Sequence, residues 1–156
     1  MKRRVVIAVA VGLLFYSLSD ILLWQRIFES NGHEFYRFDA QYQTGRQAVL
    51  VGMIGLGIVL LWDAKAWALW YAAAFYTLAF SGVPDVLYYW LDGRAIPSEL
   101  PWLTSNHLVL FGTTNTALLL SAGTWLGFWT ASLGAPTVWR AAVKSRVEKR
   151  LGFQPD

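Results

Sequence analysis

Apolar residues in this chain come in long, nearly unbroken runs, without the alternation of a half-buried strand or the single stripe of a soluble helix. Four runs stand out, at residues 5–24, 45–62, 66–91 and 107–131. A helix rising about 1.5 Å per residue needs roughly 20 residues to cross a hydrocarbon core about 30 Å thick. The pattern therefore predicts an all-α integral membrane protein with four transmembrane helices packed as a bundle across residues 1–134. Residues 135–156 are set apart as a basic tail.

The second run is the shortest: its apolar part starts at Gln47, and it reaches spanning length by recruiting Thr44 to Arg46, with the Arg46 stem snorkelling toward headgroups. Pro84 interrupts the third run by removing a backbone donor, which predicts a kink near Gly82. Asp63, Ala64 and Lys65 form a tight turn between the second and third runs. Residues 25–46 read as an interfacial loop, with the turn signal Ser30-Asn31-Gly32 and the aromatics Phe28, Phe35, Tyr36, Phe38 and Tyr42. Residues 91–105, with Asp92-Gly93, Pro97 and Pro101, read as a structured loop. Ser17 and Ser19 also fit a signal-peptide cleavage site before Asp20. The first run is taken as a retained helix, an expectation that a mature N-terminus at Asp20 would overturn.

Composition agrees with this architecture: 56% of residues are hydrophobic and 16% aromatic, too apolar for an ordinary soluble domain. No cysteine is present, which excludes disulfides, thiolate metal sites and sulfur nucleophiles. The net charge is +3, but the basic residues concentrate near the chain ends rather than on an aromatic-laced surface, so no nucleic acid is expected as a partner. Topology explains the charges better. Lys2, Arg3, Arg4, Lys65, Arg140, Lys144, Arg146, Lys149 and Arg150 fall on one side of the four-helix arrangement. Only Arg26, Arg37, Arg46 and Arg94 fall on the other. The positive-inside bias then places both termini in the cytoplasm of a cell with the protein in its plasma or inner membrane.

Candidate chemistry lies near the outer ends of the helices. Asp20 and Asp85 sit within apolar runs, where a charged group is costly unless paired or wetted, so both are expected to face the bundle interior. His107 is expected at similar depth, with Thr114 and Asn115 on the same face of the fourth helix. These groups, walled by Trp24, Tyr88, Tyr89, Trp90 and Trp102, suggest a pocket for a lipophilic small molecule with one polar or cationic end. Asp20, Asp85 and His107 would supply acid and base for an isomerase-like reaction, or carry protons in a small proton-coupled carrier. The competing reading makes the two carboxylates caps for nearby backbone or ion-pair partners of Arg46 and Arg94, in a structural subunit of a membrane complex.

The short resemblance between residues 19–24 and 84–90, each placing an Asp ahead of aromatics, suggests a duplicated helical hairpin. His33, His107, Asp20, Asp85 and Glu34 carry nitrogen and oxygen ligands but show no compact metal-binding spacing, and no metal is assigned. A bis-histidine haem and a retinal Schiff base lack their residues, and no motif specifies a cofactor. Gly123 and Gly127 form a GxxxG in the fourth run, while Ala48, Gly52 and Gly55 share a face of the second. Packing within the bundle is the expected use of both, with homodimerisation as the alternative. In the tail, Trp139, Val143, Val147 and Leu151 recur at helical spacing among Arg140, Lys144, Lys149 and Arg150. That pattern reads as a basic amphipathic helix lying on the anionic inner leaflet.

Overall fold

The structure is a computed structural model describing residues 1–25 and 39–150, excluding the side chains of Trp24, Asp39, Ser105 and residues 147–150. The described residues are helical apart from turns, the irregular loop between Leu91 and Asn115, and one isolated bridge within it. Helix α1 spans Lys2–Ser19 and continues as a six-residue π-helical turn, Asp20–Gln25. Helix α2 spans Asp39–Leu60, α3 Lys65–Phe80, α4 Val83–Leu91, α5 Asn115–Ala131 and α6 Ala135–Arg150.

Two segments, Lys2–Leu23 and Ala40–Leu60, are long and apolar enough to cross a membrane. A third joins them if α3 and α4 count as one span bent by 64°. Helix α1 is apolar all round: Val5, Val9, Leu13 and Tyr16 form the buried stripe, while Val6, Ile7, Val11 and Phe15 are exposed. Such a helix suits lipid on its outer side. In α2 only Leu50 and Gly57 are buried among the described side chains, and Val51, Val59 and Leu60 face outward.

The centre of the molecule is α3. Trp67, Ala68, Tyr71, Phe75 and Leu78 recur every three or four residues and are buried against α1, α2 and α5. Gly57 lets α2 approach closely, because a Cβ there would collide with the Tyr71 ring. The Tyr71 hydroxyl then donates to the Met53 carbonyl at 3.0 Å.

The expected kink is present between α3 and α4. Pro84 stands in the first turn of α4, where its missing N–H leaves no internal hydrogen bond unmade. Gly82 adopts φ +91°, a conformation open to glycine, and a Cβ there would strike Leu118 of α5. Carbonyls freed by the break find side-chain partners. Asn106 donates to Phe80 at 2.8 Å and the Ser121 hydroxyl to Ser81 at 2.8 Å. Such satisfaction is what a broken helix in an apolar setting requires.

Two boundaries differ from the sequence reading. Residues 39–46, expected as loop, are the first two turns of α2; the remainder of that loop, including the Ser30-Asn31-Gly32 turn, Phe28, Phe35, Tyr36 and Phe38, lies outside the described residues. The fourth run is helical only from Asn115, so His107 to Thr114 belong to a folded loop. Phe111 takes φ +69° and Gly112 φ +108°, values no helix accommodates. The loop returns along its own start: Leu100 N–H donates to Thr113 at 2.7 Å and Asn115 N–H to Ser98 at 3.2 Å. Thr114 caps α5 by accepting from the Ala117 amide. Leu100, Leu103 and Leu118 make a small second core beneath the loop.

Candidate ligand-binding site

The polar centre of the molecule is built around Arg46, in the second turn of α2. Tyr42 precedes it by four residues, so both project from one face of the helix. The guanidinium donates to the Tyr16 hydroxyl from Nε at 3.2 Å and to the Tyr42 hydroxyl from Nη1 at 3.1 Å. Its Nε lies 3.9 Å from Asp20 Oδ2, and the Tyr42 hydroxyl donates to that same oxygen at 3.3 Å. Arg46 and Asp20 keep only 27% and 21% of their side-chain surface exposed, so the pair is screened far less than a surface ion pair.

Asp85 enters from α4. The break at Ser81–Gly82 places it in the first turn of that helix, where a carboxylate complements the positive end of the helix dipole. It interacts electrostatically with both Arg46 and Asp20, and the Trp102 indole is its side-chain partner from the loop. One guanidinium is thus shared by two carboxylates and two phenols.

Beside this centre lies a cavity of about 560 Å³, within the range of small-molecule sites. Arg46 and Asp85 form its charged wall, with Gln43, Gln47, Asn106 and His107 adding polar groups. Tyr16, Tyr76, Phe80, Trp102, Leu50 and Leu108 supply aromatic and apolar surface. His107 stands exposed at the rim on the loop.

The sequence-derived candidates divide. Asp85, His107 and Trp102 line the cavity, and Asp20 joins it through Arg46. Tyr88 and Tyr89 pack edge to face, 5.3 Å between centroids, and neither lines the cavity. The Tyr88 hydroxyl donates to Gln25 and accepts from Arg94, while Tyr89 packs on the second core. Trp90 is 71% exposed and does not line this cavity. Asn115 is the first residue of α5 and accepts a hydrogen bond from Thr116, outside the cavity lining. The side chain of Trp24, and His33 and Glu34, lie outside the described residues.

Arg46 departs from expectation. It does not snorkel outward; it turns inward and organises the site. The ion-pairing alternative raised from the sequence is realised at Asp20, whereas Arg94 pairs with its neighbour Asp92. Tyr16 is not singled out by the sequence and Tyr42 is read there only as a loop aromatic, although the Tyr42-x-x-x-Arg46 spacing carries a signal. The two resembling segments lie in unlike local structure, one in the π-helical turn after α1 and the other at the start of α4. Among the described residues Gly52, Gly55, Gly123 and Gly127 have no neighbour within 4 Å of a would-be Cβ, so none of the four serves packing there. Among the described residues no group of three or more His, Asp or Glu is arranged to hold a metal ion.

No protein-family model matches the chain, and neither a curated protein nor a solved structure shows significant similarity to it. The class defined by fold and composition is a helical protein with two or three segments able to span a membrane.

Proposed function

We propose that the protein is a multi-pass membrane protein that binds a lipophilic small molecule in the cavity beside Arg46 and Asp85. The observation carrying this reading is the charged wall itself: Asp85 and Arg46 line a ligand-sized space with aromatic sides, and Asp20 pairs with the same guanidinium behind it. A cationic or hydrogen-bond-donating end of the ligand is met by Asp85, and the apolar body by Trp102, Phe80 and Tyr76. An isomerase-type acid–base reaction is the chemical extension, with Asp85 and His107 as the proton-carrying pair on one cavity.

The topology that accompanies this reading has four spans, with the bent α3–α4 pair as the third, α5 as the fourth, and both termini in the cytoplasm. Helix α5 has 17 residues, the lower end of spanning length. Support comes from the fold: Lys65, Arg140 and Lys144, three of the residues that charge bias assigns to the cytoplasmic side, line one groove. Native mass spectrometry of the protein in mild detergent tests the binder reading. A stoichiometric organic ligand is expected in the wild type and absent from Asp85→Asn, with unchanged helicity and melting within a few degrees. Equal retention by both proteins, or no ligand in either, would sink it.

A second reading, a structural subunit of a membrane complex or a homodimer, rests on a different observation. The Gly52–Gly55 and Gly123–Gly127 faces are open on this chain, and small residues on a lipid-facing helix permit close approach of another helix. Gly127→Leu is then expected to abolish self-association or partner copurification without loss of melting temperature; an unchanged oligomeric state removes this reading.

A further inference from the structure

A second concave site lies at the opposite end of α3. The 3-10 turn Trp62–Ala64 and the start of α3 face α6 across a groove of about 550 Å³. Lys65 stands on one wall; Arg140 and Lys144 stand on the other, four residues apart and so on one row of α6. Trp139 and Val143 form the adjoining row, and Asp63 is the single carboxylate among the lining residues.

We propose that this groove holds the headgroup of one anionic phospholipid. Lys65 and Arg140 are both exposed and face one another across the groove, Asp63 is the one carboxylate among the described lining residues, and the two parallel rows on α6 offer charge and apolar surface side by side. A free inorganic anion has no use for the apolar row. A phospholipid uses both, with its phosphate between Lys65 and Arg140 and its glycerol and upper acyl region along Trp139 and Val143. The level is also suited to an interface. Trp62 and Trp139 are 66% and 60% exposed beside the groove, as aromatic side chains at headgroup depth are. Two walls from segments about 75 residues apart in sequence give a defined recess, which a basic helix lying freely on a membrane lacks. The inference rests on the membrane reading and is independent of any ligand in the Arg46 cavity.

The test is native mass spectrometry of the full chain in detergent containing equal amounts of phosphatidylglycerol and phosphatidylcholine. One phosphatidylglycerol is expected to be retained preferentially. Each basic residue near an anionic surface is worth roughly fivefold in affinity, so Lys65→Ala with Arg140→Ala should lower the preference by about tenfold or more. Lys65→Arg with Arg140→Lys should keep it, as should Arg94→Ala at the other end. Equal retention of the two lipids by the wild type, or a preference that survives the double alanine variant, overturns the proposal. Displacement of phosphatidylglycerol by inorganic phosphate alone overturns it as well, because the groove would then be a free-anion site.

Discussion

The two ends of α3 handle positive charge in opposite ways. At the end near the break, Arg46 is turned inward, with Asp20 at 3.9 Å, two tyrosine hydroxyls within 3.2 Å, and Asp85 close enough to act on it. At the other end Lys65 and Arg140 are exposed, and among the described residues their groove holds one carboxylate. A cation held inside a network is part of the fold, and its removal leaves its partners without a counter-charge. A cation on an open rim is available to something outside the chain. The same residue types are thus structural and site-forming at one end and surface-recognising at the other.

The largest expected effect falls on the hinge that brings Asp85 to Arg46. Gly82→Val forces a β-branched residue into a left-handed conformation and drives its side chain into Leu118. A loss of about 3 kcal/mol is expected, the sum of backbone strain and overpacking. Thermal or denaturant unfolding in detergent measures it, and a change below about 1 kcal/mol would mean the break is not held as described.

Arg46→Met comes next and sharpens the contrast. Breaking a fully buried pair costs about 3–5 kcal/mol, and the residual exposure of Arg46 and Asp20 scales this down to about 2 kcal/mol. Arg94→Met, which breaks a pair whose arginine is 52% exposed, should cost no more than about 0.5 kcal/mol. Equal effects of the two substitutions would erase the distinction between the inward and the outward arginine. Adding Asp20→Asn to Arg46→Met should restore part of the loss, since the uncompensated carboxylate is then gone.

Several parts of this arrangement were readable from the sequence. The break at Gly82 followed from Pro84, and the inward placement of Asp85 followed from the cost of a charge in an apolar run. Other parts were not, for definable reasons. Helices α1 and α5 are apolar on all sides, so periodicity does not distinguish a lipid-facing from a protein-facing residue, and the internal use of Gly123 and Gly127 was misjudged. Residues 107–114, rich in Leu, Val and Phe, read as a continuation of the fourth helix. Their loop conformation is fixed by tertiary bonds invisible locally, such as Trp125 to the Leu108 carbonyl at 2.8 Å and the Leu110 amide to Ser121 at 3.0 Å. Arg46 looked like an interfacial anchor because its partners Tyr16, Asp20 and Asp85 come from other helices. Trp90 and Asn115 were drawn into the site by nearness in sequence to Asp85 and His107, and the turn geometry sends them elsewhere.

A crystal structure of the wild-type protein grown from a lipidic mesophase, without added ligand, tests the central claim most directly. The account predicts continuous density for a bound organic molecule in the cavity, with a polar atom within hydrogen-bonding distance of Asp85 and the remainder along Trp102 and Phe80. A cavity holding only ordered water, or one closed by an Asp85–Arg46 contact, would contradict it and leave the polar centre as a purely structural feature.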